Sequence, residues 1–155
     1  MSAEKIGANE IKAKNRQIIY NYIREHGSAS KQDIVVDMQL SLPTITSNLE
    51  LLKKQGLIDT SGKIKNTGGR NATAFTYVKD ARTAIGVDIT ANHITAVAVN
   101  LSGDIVRMER QRINFDLEDD AYLRKIGEVV ECVKREADIS DENLLGVGIS
   151  VQSLI

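Results

Sequence analysis

The stretch SKQDIVVDMQLSLPTITSNLELLKKQGLI, residues 30–58, carries two helix starts in quick succession. Ser30 stands three residues before Asp33, so a side-chain oxygen at the first position can accept from the open N–H groups of a first turn. A short helix to about Met38 follows, with Ile34 and Met38 on one face. Ser41 offers a second N-cap, and Pro43 falls in the next first turn, where its missing N–H breaks no intrahelical bond. The second helix begins near Leu42 and stops at Gly56, which has the place of a C′ glycine. Within it Ile45, Leu49 and Leu52 recur at spacings of four and three and form a stripe for burial.

Thr44, Ser47 and Asn48 fall on the opposite face, near the amino end. Short hydroxyl and amide side chains in that position can approach base edges and phosphates closely, as the second helix of a helix-turn-helix must. Ser30, Ser41, Thr44, Ser47 and Asn48 are therefore candidate DNA contacts, with Pro43 and Thr46 shaping or supporting the face. A surface helix with a solvated polar side shows the same pattern, so the continuation decides. Leu57 and Ile58 open a strand, residues 63–71 form a basic, glycine-rich loop, and residues 74–78 form an apolar, aromatic strand. Two strands joined by a cationic tip make a wing. Lys63, Lys65, Gly69 and Arg70 are its candidate contacts to phosphates, or to the minor groove for Arg70.

Composition bounds the rest. A chain of 155 residues is one average domain or two small ones, and a hydrophobic fraction of 42% suffices for packed cores. No apolar run is long enough to cross a membrane, and the amino end lacks the apolar stretch of a signal peptide, so a cytoplasmic protein with no membrane partner is expected. The single cysteine, Cys132, leaves no internal disulfide and no multi-cysteine zinc site within this chain. The net charge of −1 hides an asymmetry. Residues 1–80 carry 12 Lys and Arg against 8 Asp and Glu, while residues 81–155 carry 8 against 13. Only the first half is suited to a polyanion.

Taken in order, residues 1–9 show no periodicity. An amphipathic helix follows from about Glu10 to Glu25, with Ile11, Ile18, Ile19, Tyr22 and Ile23 as its apolar positions, ended by His26 and Gly27. Lys12, Lys14 and Arg16 lie near its start, either solvated or beside a DNA backbone; His26 reads as a helix-end cap. Helix, helix, helix, hairpin describes a winged helix-turn-helix over residues 1–80. Beyond it come strands at 84–89, 94–100 and 105–113, a helix at 119–137 with Tyr122, Ile126, Val129, Val130 and Val133 inward, and an apolar run at 144–151 typical of a buried parallel strand. The order is β-β-β-α-β.

A hairpin tip containing Gly68, Gly69 and Arg70, followed by IGVDITANHITAVAVNLSGD at residues 85–104, resembles the ROK family of repressors, open reading frames and sugar kinases. The repressor branch, which includes xylose and N-acetylglucosamine repressors, is the better match. The resemblance implies an α+β chain: a winged helix-turn-helix, then, over residues 81–155, part of an actin-like, sugar-kinase-like α/β domain. It also implies a double-stranded DNA operator as partner, a homodimer or higher oligomer, and a sugar effector. Kinases of the family carry an Asp-x-Gly-Gly-Thr phosphate loop after the first strand. Here Asp88 is followed by Ile89, Thr90, Ala91, Asn92 and His93, without the glycines that let backbone N–H groups approach a nucleotide. No cofactor and no enzymatic activity are therefore expected. Family members continue well past residue 151 with their catalytic Asp, sugar-contacting residues and zinc-binding cysteines, so the effector site is expected to be missing from a chain truncated within the domain.

A further departure is Gln39, where related turns place glycine to accept a positive φ. The sequence-level expectation is a DNA-binding regulator, a repressor of sugar-utilisation genes. The alternatives are an inactive sugar-kinase-like fragment or an oligomerising interaction module, since an incomplete sheet leaves an unpaired edge.

Overall fold

The computed structural model describes residues 7–64 and 72–152. It is a mixed α+β structure that divides into two compact units, Met1–Val78 and Lys79–Ile155.

The first unit contains α1 (Ala8–His26), β1 (Ser28–Ser30), α2 (Lys31–Met38), α3 (Leu42–Lys54), β2 (Ile58–Ile64) and β3 (Ala72–Tyr77). Its three strands form an antiparallel sheet in the order β1-β3-β2. Ile45, Leu49 and Leu52 of α3 are buried with Ile19 and Ile23 of α1, Ile34 of α2, Ile58 and Phe75. The apolar stripe expected of α3 is thus its inner face. Along α1 only part of the expected face is covered. Ile19 and Ile23 are fully buried, whereas Ile11 and Ile18, seven residues apart on a neighbouring stripe, remain exposed. The helix also starts at Ala8, two residues before the expected position.

The ends of α2 and α3 are explained by local chemistry. Ser30 and Asp33 form a reciprocal capping box: the Asp33 amide donates to Ser30 Oγ at 3.2 Å, and the Ser30 amide donates to Asp33 Oδ2 at 2.9 Å. Helix α2 ends at Gln39, which adopts the left-handed conformation with φ 52° and ψ 29°. Helix α3 closes with Gly56 at φ +70°, where the Leu57 amide donates to Leu52 O and the Gly56 amide to Lys53 O, both at 3.0 Å. This is the paired bonding of a Schellman motif. Strand β1 was not expected from the sequence. Three residues, Ser-Ala-Ser, are too short for a period-2 signal, and the strand exists because β3 supplies a partner edge.

The second unit contains β4 (Thr83–Ile89), β5 (His93–Asn100), β6 (Ile105–Arg112), α4 (Asp120–Glu136) and β7 (Leu144–Val151). Its sheet has the order β6-β5-β4-β7, antiparallel except for the parallel β4–β7 pair. Tyr122, Val129 and Val133 of α4 pack with Ile85, Val87 and Ile89 of β4 and Ile94, Ala96 and Ala98 of β5. The meander turns at Asn100, whose buried Oδ1 accepts from the Ser102 and Asp104 amides, each at 3.0 Å.

Strand β7 corrects the sequence reading. It pairs in parallel with β4, but it is an edge strand and it is exposed: Leu145, Val147, Ile149 and Val151 keep 62%, 44%, 59% and 50% of their surface. Val147, Ile149 and Val151 stand in register with buried Ile85, Val87 and Ile89. They share the α4 side of the sheet, yet α4 packs over β4, β5 and β6, and no described element covers β7.

Gln39 yields a prediction. A left-handed residue with a Cβ costs about 1–2 kcal/mol, partly offset by the backbone entropy that glycine loses on folding. Gln39 is exposed, so Gln39→Gly should raise the unfolding free energy of the first unit by about 0.5–1 kcal/mol in a urea titration. A loss of stability would contradict the strain assigned to this turn.

Candidate nucleic-acid interface

The candidate surface is the amino-terminal half of α3. Ser41 caps it: the Thr44 amide donates to Ser41 Oγ at 3.4 Å, and the two hydroxyl oxygens lie 2.8 Å apart. Pro43 occupies the first turn. Ser47 Oγ donates to the Thr44 carbonyl at 3.0 Å, and Asn48 Nδ2 donates to the same carbonyl at 2.8 Å. The side chains of Ser41, Thr44, Ser47 and Asn48 therefore form one locally bonded group.

Their exposure divides them. Ser41, Pro43 and Ser47 are exposed, Thr44 and Thr46 are half-buried, and Asn48 keeps only 8% of its surface. Ser30 is 1% exposed. Its oxygen is engaged in the α2 cap, where it accepts from the Asp33 amide and donates to Asp33 Oδ2 at 2.7 Å. The structure therefore places Ser30 inside the unit, apart from the α3 surface. Lys63 lies near the end of β2, its backbone opposite Thr73 of β3. Lys65, Gly69 and Arg70 lie outside the described residues.

The helix end itself carries partial positive charge, because the first N–H groups of a helix have no intrahelical acceptor. Helices α1, α2 and α4 each place an acidic residue in the first turn, at Glu10, Asp33 and Asp120. Helix α3 has none, while Lys53 and Lys54 stand in its last turn. Its amino end is left uncompensated.

Beside this surface α1 and α3 enclose an open cleft of about 340 Å³, in which Lys12, Asn15 and Arg16 of α1 face Thr44, Ser47 and Asn48 of α3. Sequence spacing had singled out Lys12 and Arg16 as cations without fixing a neighbour. Asn15 was missed; being three residues from Lys12 and beside Arg16, it carried no signal beyond shared helical spacing. Elsewhere in the unit, Tyr22 ties α1 to α2 through a 2.5 Å hydrogen bond from its hydroxyl to Asp37 Oδ2. That bond needs the neutral phenol, and it pushes the Tyr22 pKa up to about 12. His26 stacks on the Tyr22 ring at 4.0 Å and donates from Nδ1 to the Tyr22 carbonyl at 2.8 Å, consistent with its reading as a helix-end cap.

In the second unit the β4–β5 turn is held by backbone hydrogen bonds. The Thr90 amide donates to the His93 carbonyl at 2.9 Å, and the Ala91 and Asn92 carbonyls accept from Phe115 and Ile113. The turn is thus fastened to the segment that follows β6. Among the described residues, no group of three or more His, Cys, Asp or Glu is placed to hold a metal ion, and no helix is long and apolar enough to cross a membrane. Cys132 donates to Glu136 Oε1 at 3.5 Å, and burial together with that carboxylate raises its pKa.

The fold is similar to that of a solved ROK family regulator. A solved ROK family transcriptional regulator, described as a homologue of the E. coli MLC protein, superposes with a TM-score of 0.68 at 20% identity, covering 94% of this chain and 37% of its own. In sequence the chain is similar to xylose repressors. It is 23% identical over 145 residues to that of Caldicellulosiruptor bescii and 22% identical over 148 residues to that of Bacillus subtilis, in each case over 94% of this chain. It spans 36% and 38% of the lengths of those two relatives. No family model matches the chain. The resemblance to ROK regulators read from residues 68–104 is thus present in both sequence and fold.

Ser30, a helix cap, and Ser47, on the open face of α3, differ in what they should contribute. Ser30→Ala removes a buried cap and should lower the unfolding free energy by about 1 kcal/mol, whereas Ser47→Ala, on the exposed face, should change it by less than about 0.5 kcal/mol. Urea unfolding of both variants checks this; equal effects would remove the distinction between buried cap and open surface.

Proposed function

We propose that residues 1–80 are a winged helix-turn-helix that binds double-stranded DNA, and that residues 81–155 are the amino-terminal part of an actin-like ROK domain. In this reading the chain is a sequence-specific transcriptional regulator, a repressor of sugar-utilisation genes rather than an enzyme. The observation that carries it is the amino end of α3. One stripe of that helix is buried, and the other side presents Ser41, Pro43 and Ser47 around a first turn free of carboxylates. A helix so arranged can enter the major groove with its end toward the phosphates.

Each residue then has a role. Ser41 and Ser47 are the side chains exposed enough to meet base edges or phosphate oxygens directly. Thr44 and Asn48 hold the surface in shape through the shared Thr44 carbonyl, and Asn48 can reach DNA only from within the cleft. Pro43 and Thr46 support the turn. The β2–β3 hairpin is the wing, with Lys63 near the end of β2 and Lys65, Gly69 and Arg70 beyond it.

Similarity to proteins named xylose repressors supports carbohydrate genes as the target, and a cytoplasmic location is part of the same proposal. A homodimer is part of the proposal, because a two-fold operator requires two reading helices. The exposed apolar edge of β7 also supports association. The same edge favours the second reading, an interaction module without operator preference.

Fluorescence anisotropy against a duplex from upstream of the chain's own gene, and against its scrambled counterpart, distinguishes the two at two salt concentrations. The regulator reading predicts about 10³-fold or greater preference for the upstream duplex, a steep salt slope and two chains per duplex. Equal, weak binding to both would overturn it in favour of the interaction module.

A further inference from the structure

The cleft between α1 and α3 has a chemistry that base reading does not account for. Its charged members are Lys12 and Arg16, both cations, and no carboxylate lines it. The two lie four residues apart on α1, a spacing at which like charges repel. Among the described residues neither takes part in an ion pair, and Arg16 Nε is buried without a hydrogen-bond partner. The opposite wall supplies Thr44 and Ser47, from the half of α3 whose first turn lacks a carboxylate.

We propose that this cleft seats phosphates of the DNA backbone, gripped by Lys12 and Arg16, next to the bases that α3 reads. The proposal rests on the DNA-binding reading above and deepens it. A phosphodiester fits all the elements at once. Its oxygens accept from the Arg16 guanidinium and from the ammonium of Lys12. Its charge relieves the repulsion between the two cations. A free phosphate ion would meet the same groups, but the cleft is open and borders the exposed Ser41 to Ser47 surface, which selects a phosphate on a polymer lying across that surface. Helix α1 then acts as the element that fixes how deep and at what angle α3 enters the groove, since backbone contacts set register and carry no sequence information themselves.

The test uses the full chain, an upstream duplex and a scrambled duplex, each titrated across a range of salt. Lys12→Gln, at an exposed side chain, should lower affinity for both duplexes by the same factor and reduce the slope of log K against log salt by about 1. Lys12→Gln combined with Arg16→Gln should reduce it by about 2, and Arg16→Lys should restore most of what Arg16→Gln loses. Circular dichroism establishes that each variant is folded; if Arg16→Gln is not, Lys12→Gln and Arg16→Lys decide. Unchanged slopes in a wild type that does bind DNA would overturn the phosphate seat and leave the DNA-binding reading standing. Loss of preference for the upstream duplex with an unchanged slope would also overturn it, by making these residues base readers. If the wild type binds neither duplex, the DNA-binding reading fails first. Inorganic phosphate at constant ionic strength should leave DNA binding unchanged; release of DNA by it would assign the cleft to a free anion instead.

Discussion

Burial of a single stripe on α3 governs what the first unit can do. Ile45, Leu49 and Leu52 are almost completely removed from water against Ile19, Ile23 and Ile34. Each such side chain contributes about 1.5–3 kcal/mol, more than the roughly 1 kcal/mol of a helix cap. The stripe therefore decides which way α3 faces, and the caps at Ser30 and Ser41 decide where the helices begin. With the apolar side held inward, Ser41, Pro43 and Ser47 have nowhere to go but out. The turn at Gln39 is left-handed because the packing of α2 and α3 on one core requires the chain to bend there, and Gln accepts the strain.

Much of this was legible in the residues. Capping serines, an early proline and a terminating glycine are local signals, and the elements start and stop where they act. The periodicity of α3 and α4 named their inner faces, because a helix with one apolar side has few ways to bury it. What could not be read was tertiary. Ser30 carries the signature of a cap and also looks like a polar contact; only the fold shows it buried. Asn48 belongs by spacing to the polar side of α3, yet α1 lies close enough to cover it. An apolar run such as residues 144–151 reports that a strand wants cover on both sides, and whether a neighbour provides it is not written in the run itself.

The two units differ in how fully their apolar residues are covered. In the first, every apolar residue of α3's inner stripe is buried, and the start of α3 exposes Ser41, Pro43 and Ser47 with no carboxylate in its first turn. In the second, α4 satisfies β4 and β5 while β7 stays open, although the chain matches only about a third of the length of its relatives. The β4–β5 turn is tied through its Ala91 and Asn92 carbonyls to the backbone just after β6.

The most direct test of the account is a backbone NMR titration of the full chain with duplex DNA from upstream of its gene. Amides of Ser41, Leu42, Thr44 and Ser47, together with those of Lys12 and Arg16, should shift at substoichiometric duplex, while those of β4, β5 and α4 core residues stay in place. Perturbations confined to the second unit, or the absence of any at the start of α3, would contradict the central claim that this helix end is the DNA-reading surface.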